Sequence, residues 1–186
     1  MLEAFLVSTG LVAIGEIGDK TQLLSLVLAA RFRRPWPIVA GIFAATLANH
    51  SVAGGIGAWI ANTVGIGIMT KVAGVSFLAM ALWALVPDKI DEGEAVKDVR
   101  GGVFWTTVVL FFMAEMGDKT QLATMALAAR YPSLVAVVAG TTLGMLIADV
   151  PVVFFGDAIA KKIPLAIVRR IAAAFFAILG VLALVA

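Results

Sequence analysis

Cysteine is absent from the 186 residues, histidine and tyrosine occur once each, and Lys, Arg, Asp and Glu together make up only 14% of the chain. The lack of cysteine excludes disulfides and thiolate metal ligands, so any metal must be held by oxygen, with at most one imidazole, that of His50. So little charge excludes an ordinary soluble surface, where about a quarter of all residues are charged. A net charge of +2 says little about acidic partners, and nothing points to nucleic acid. The opening Met1-Leu-Glu-Ala has no basic stretch and no convincing cleavage site follows, so the first apolar segment reads as a retained helix and not a signal peptide.

What the chain has instead is apolar length. Hydrophobic residues make up 62% of it and its mean hydropathy is +1.05. Six apolar segments can be marked off, at 2–30, 36–61, 66–86, 102–129, 134–160 and 165–186, each near or above the roughly 20 residues that a spanning helix needs. The pattern predicts an all-α integral membrane protein of six transmembrane helices embedded in a lipid bilayer, with no room for a soluble domain.

The two halves repeat. Shifting the numbering by 99 superimposes Glu16 on Glu115, Asp19 on Asp118, Arg31 on Arg130, Gly41 on Gly140, Gly57 on Gly156 and Phe77 on Phe176 without a gap. The expected organisation is a three-helix repeat over 1–86, a charged linker over 87–101 and a second three-helix repeat over 102–186. An odd number of spans makes the second copy enter the membrane from the other side, which yields inverted repeats, a transporter arrangement. Ten Lys and Arg residues fall in the loops after segments 1, 3 and 5, and only Lys71 and Arg130 on the opposite side. Those three loops should be cytoplasmic and both termini outside, in a multi-pass protein of a bacterial inner membrane. The linker also gathers Asp88, Asp91, Glu92, Glu94 and Asp98 and reads as a solvated connection. Trp36, Trp59, Trp83 and Trp105 lie toward segment ends and read as interfacial anchors.

The feature that organises the rest is Glu16-Ile-Gly-Asp-Lys-Thr-Gln22, which recurs as Glu115-Met-Gly-Asp-Lys-Thr-Gln121. Each copy places two carboxylates and an ammonium deep in an apolar segment, at a cost of roughly 2.5–3.5 kcal/mol per charge, and such groups mark ion pathways. In a continuous helix Glu16 and Asp19 share a face, with Lys20 on the other flank of Glu16. Gly15, Gly18 and Gly117 remove bulk beside the acids, which lets a partner helix approach or the helix unwind. About nine residues separate each motif from Arg31 or Arg130, roughly 13 Å of helix, so both motifs reach the midplane and can meet. Four carboxylates, Glu16, Asp19, Glu115 and Asp118, against two ammonium groups, Lys20 and Lys119, leave a formal charge of −2 that one divalent cation neutralises. Thr21, Gln22, Thr120 and Gln121 are additional candidate ligands, and the oxygen-rich set suits Mn²⁺, Ca²⁺ or Mg²⁺. With no ion present the crowded carboxylates should hold protons, which metal entry expels, so protons are the expected counter-substrate.

Several blander alternatives stand beside these. Glu16 with Lys20 and Glu115 with Lys119 would then be structural i,i+4 ion pairs, with Asp19 and Asp118 capping kinked helices. His50 and Asp149, aligned by the repeat, and Asn49 beside the histidine are either hydrogen-bonded packing residues or outer ligands and proton relays. Asp157 reads as a partner of Lys161.

The duplicated Glu-x-Gly-Asp-Lys-Thr, one copy in the first helix of each repeat, resembles the family once called uncharacterised protein family 0016, which includes Golgi and bacterial cation/proton antiporters. The resemblance covers the whole chain. It implies export of Mn²⁺, with Ca²⁺ as the other substrate, in exchange for protons, no cofactor, and an ion held by Glu16, Asp19, Glu115 and Asp118. The alternatives are a Ca²⁺/proton antiporter and, from another class, an intramembrane metal-dependent hydrolase, which would need a nucleophile or metal-bound water open to its substrate.

Overall fold

The computed structural model describes residues 1–86, 101–160 and 165–185. Among them are eight helices: α1 (Leu2–Glu16), α2 (Lys20–Phe32), α3 (Pro35–Val64), α4 (Ile66–Ala84), α5 (Gly102–Glu115), α6 (Lys119–Arg130), α7 (Leu134–Ala160) and α8 (Leu165–Val185). The acid-rich linker and any pairing of Asp157 with Lys161 lie outside the described residues.

Eight helices arise from six apolar segments because the segments 2–30 and 102–129 each break in the middle, at Ile17–Asp19 and Met116–Asp118. The shift of 99 holds for the structure as well as the sequence. It carries the end of α1 onto that of α5, and the starts of α2, α3 and α4 onto those of α6, α7 and α8. Two of the helices, α3 and the Leu134–Gly156 part of α7, are long and apolar enough to cross a membrane.

The first helix of each half packs along the third helix of the other: α1 against α7, and α5 against α3. Both crossings are made close by glycine. A Cβ on Gly41 would lie 2.6 Å from the Cβ of Thr107, and one on Gly140 would lie 2.5 Å from the carbonyl of Phe5 and 2.9 Å from the Cβ of Ser8. Ser8 and Thr107 are themselves equivalent under the repeat. Helices α4 and α8 pack on each other, where Phe77 meets its own repeat mate Phe176 at 6.3 Å between ring centroids.

Two apolar clusters fill the interior, one around Leu11, Phe77, Met80, Leu127 and Phe176 and one around Val12, Leu28, Ile42, Phe111 and Met145. The exterior is apolar too: Leu6, Val52, Ile56, Val75, Leu82, Ile147 and Ile178 are exposed, as are Trp36, Trp59, Trp83 and Trp105. An apolar outer surface around buried Glu, Asp and Lys is the arrangement of a protein solvated by lipid.

Candidate cation site

The motif forms a turn, not a stretch of helix. Ile17 (φ −63°, ψ 114°) and Gly18 (φ 84°) occupy the two central positions of a type II β-turn, closed by Asp19 N–H donating to the Glu16 carbonyl at 3.0 Å. Met116 (φ −65°, ψ 120°), Gly117 (φ 76°) and the bond from Asp118 N to the Glu115 carbonyl at 3.2 Å repeat it. Glycine is required where φ is positive, which accounts for the third position of the motif. Asp19 and Asp118 then cap α2 and α6, accepting from Lys20 N at 2.7 Å and Lys119 N at 2.5 Å.

Gln22 and Gln121, three residues after each cap, reach back. Their Oε1 atoms accept from Gly18 N at 2.9 Å and Gly117 N at 2.8 Å, in the manner of a capping box. Their Nε2 atoms donate across the molecule, to the carbonyl of Ala148 at 3.1 Å and to Asn49 Oδ1 at 3.0 Å, and Ala148 and Asn49 are repeat mates. Both ends of each glutamine are thus engaged in holding the turn against the other half. The capping pattern Asp-x-x-Gln is visible in the sequence and signals the break that a continuous-helix reading misses.

Because Asp19 and Asp118 sit at helix starts, the lysines that follow them swing away from Glu16 and Glu115. Lys119 Nζ lies 3.1 Å from Asp19 Oδ2, and Lys20 Nζ lies 3.5 Å from Asp118 Oδ2. These ion pairs join the two halves, whereas the blander alternative has Glu16 with Lys20 and Glu115 with Lys119 inside one helix. The two are not equal in exposure. The Lys119 side chain is 6% exposed and that of Lys20 33%.

The glutamates end the helices before each turn and are fully buried. Thr21 donates its hydroxyl to Glu16 Oε2 at 2.5 Å. In the second half Thr120 makes no such bond, and Glu115 Oε2 is met instead by His50 Nε2 at 3.3 Å. Asp149, the repeat mate of His50, accepts from Ser25 at 2.8 Å, a partner that motif reading overlooks because serine carries no distinctive spacing. Glu16 Oε1, Glu115 Oε1, Asp149 Oδ2, His50 Nδ1 and Thr120 Oγ1 are buried with no hydrogen-bond partner among the described residues. Buried polar atoms are normally satisfied, so five such atoms around one motif pair are capacity for a ligand or water.

Gly15 has the packing role and Gly18 the turn: a Cβ on Gly15 would touch the ring of Phe176 at 3.6 Å. A cavity of about 10 Å³ bordered by Gly15, Gly18, Asp19, Lys119 and Ala172 has room for about one water. Among the described residues no three His, Asp or Glu side chains stand close enough to hold an ion together. Lysine nitrogens lie against Asp19 and Asp118.

A family model described as the divalent cation/proton antiporter GDT1 matches residues 4–92 and 103–186, one stretch on each half. The chain belongs to that family. This antiporter is accordingly a membrane transporter and not an enzyme, which sets aside the hydrolase alternative. It is 48% identical over 181 residues to a protein of Vibrio cholerae named "Putative manganese exporter", covering 97% of this chain and 90% of that one. It is 30% identical to the GDT1-like protein sll0615 of Synechocystis over 88% of this chain and 87% of the relative, and 26% identical to GDT1-like protein 4 of Oryza sativa over 95% and 71%. No solved structure matches the antiporter.

Proposed function

We propose that the antiporter exports Mn²⁺ in exchange for protons, and that Glu16, Asp19, Glu115 and Asp118 form one shared site. The observation that carries this reading is the crosswise pairing of the two motifs, Lys119 with Asp19 and Lys20 with Asp118. It ties each motif's aspartate to the other motif's lysine, so that an ion displacing the ammonium groups would draw the carboxylates of both halves together. An entering divalent ion displaces the ammonium groups and expels protons from the remaining carboxylates, so metal and protons use the same oxygens. Thr120, with its idle buried hydroxyl, is a further ligand. Gln22 and Gln121 hold the turns instead.

Manganese as the ion follows from the name of the 48% identical relative together with the oxygen-rich site. A Ca²⁺/proton exchange uses the same carboxylates, and this family of divalent cation antiporters accommodates it.

In the membrane, α1 with α2 and α5 with α6 each act as one broken span, giving six spans in two inverted halves with the turns at midplane. Broken helices at the midplane are how secondary transporters expose backbone and side-chain ligands to an ion. The close α1–α7 and α5–α3 crossings and the Phe77–Phe176 contact support a two-fold relation between the halves. The concentration of Lys and Arg in the loops after segments 1, 3 and 5 favours a cytoplasmic linker and external termini, and the Vibrio cholerae relative supports a bacterial inner membrane. Impermeant labelling of a cysteine introduced at Glu92 from the outside would contradict that orientation.

Calorimetry of Mn²⁺ binding in buffers of different ionisation enthalpy tests the exchange. The expected result is release of between one and two protons per ion across pH 6–8. A count near zero would mean that metal and protons do not compete for these carboxylates.

A further inference from the structure

Selectivity among divalent cations needs a ligand that treats them differently, and the carboxylates do not. Mn²⁺, Ca²⁺ and Mg²⁺ all accept oxygen, whereas imidazole nitrogen favours transition metals. The chain has no cysteine and a single histidine, so imidazole can enter the site from one position only. That histidine, His50, stands in the middle of α3, fully buried, with Nε2 3.3 Å from Glu115 Oε2.

We infer that His50 is a ligand to the transported ion, bound through Nε2 beside Glu115, and that it sets the preference for Mn²⁺ over Ca²⁺. This rests on the shared-site reading above and goes further by assigning the discrimination to one side chain. The spacing fits. Two ligands bound at about 2.1–2.5 Å and at right angles stand about 3.0–3.5 Å apart, so a metal can bridge this nitrogen and oxygen without separating them. Asn49, its neighbour in α3, ties this part of the helix to α6 through Gln121.

The repeat sharpens the assignment. The position equivalent to His50 is Asp149, whose Oδ1 is taken by Ser25, so nitrogen enters the site from one half alone. Coordination through Nε2 requires the tautomer that carries its proton on Nδ1, and Nδ1 has no partner among the described residues. The metal–nitrogen bond must therefore outweigh an unsatisfied N–H, and Mn²⁺, a first-row transition ion, gains more from a nitrogen ligand than the oxygen-binding Ca²⁺ does. A purely structural histidine would only donate to Glu115 and would stay outside the metal's coordination shell.

The test is electron spin-echo envelope modulation of Mn²⁺ bound to the purified full-length antiporter, with affinities for Mn²⁺ and Ca²⁺ measured alongside for wild type and His50→Gln. Directly coordinated imidazole nitrogen gives a ¹⁴N modulation in the wild type. In the variant this modulation should vanish, Mn²⁺ affinity should fall about 10- to 100-fold, and Ca²⁺ affinity should change by less than about threefold. Mn²⁺ that binds the wild type with no directly coupled nitrogen would overturn the assignment while leaving the carboxylate site standing. Equal losses for both ions in the variant would also overturn it. If the wild type bound no Mn²⁺ at all, the shared-site reading would fail and the role of His50 with it. Because the wild-type spectrum alone decides whether nitrogen is bound, the test survives a variant that does not fold.

Discussion

Lys119 Nζ lies 3.1 Å from Asp19 Oδ2, joining the second motif to the first at a point where the lysine side chain is 6% exposed. Its repeat mate, Lys20, makes the equivalent contact with Asp118 at 3.5 Å but is one-third exposed. Burial makes the first pair the more consequential, since breaking a fully buried pair costs about 3–5 kcal/mol, whereas the partly exposed Lys20 is easier to remove although Asp118 beneath it is buried. Lys119→Met should therefore lower the melting temperature in detergent well below that of Lys20→Met. Added Mn²⁺ should restore more stability to Lys119→Met than it adds to the wild type, because the ion takes the place of the lost ammonium. Equal destabilisation by the two variants would show that the lysines are not tethered cations of unequal weight.

The four acids can be tested without dismantling the turns that carry them. Asparagine caps a helix as well as aspartate does, so Asp19→Asn and Asp118→Asn preserve the starts of α2 and α6. What they remove is charge. A unit charge about 4 Å from another, at an effective dielectric near 20, is worth about 4 kcal/mol. Each of Asp19→Asn, Asp118→Asn, Glu16→Gln and Glu115→Gln should then lower Mn²⁺ transport at least about a hundredfold in protein that still inserts. Full transport by any two of them would mean that the acids do not share an ion.

Backbone geometry makes a prediction of its own. Gly18 and Gly117 hold φ of 84° and 76°, so Gly18→Ala and Gly117→Ala should each cost about 1–2 kcal/mol and loosen the motif. Gly10 and Gly55 lie inside helices with nothing within 4 Å of a would-be Cβ. Gly10→Ala and Gly55→Ala should be neutral or stabilising by up to about 1 kcal/mol. Thermal unfolding of the four variants in one detergent checks the contrast.

Much of this architecture is legible in the residues, and what is not has a physical reason. The repeat, its register and the gathering of both motifs follow from the shift of 99 and from apolar length. Hydropathy does not register a turn, however, and a window averaged over 2–30 reads through Ile17–Asp19 because Ile17 is itself apolar and Gly18 and Asp19 barely lower the mean. The clue lay in the capping pattern and the glycine, which signal a break in any helix. The blander pairing of Lys20 with Glu16 loses its footing at the same break, since the i,i+4 rule holds only inside a continuous helix. The partnership of Ser25 with Asp149 was invisible for another reason: it joins residues 124 positions apart, and no local pattern encodes it.

Coupled flux decides the central claim most directly. The purified antiporter is reconstituted into proteoliposomes that are acidic inside, with Mn²⁺ outside and a manganese-sensitive dye within. The account predicts Mn²⁺ uptake driven by the pH gradient, with protons leaving as the ion enters, slower with Ca²⁺ and slowest with Mg²⁺. Collapse of the gradient by an ionophore should stop the uptake. Mn²⁺ entry that continues unchanged after collapse, with no movement of protons, would contradict exchange through these carboxylates and leave a channel or a uniporter in its place.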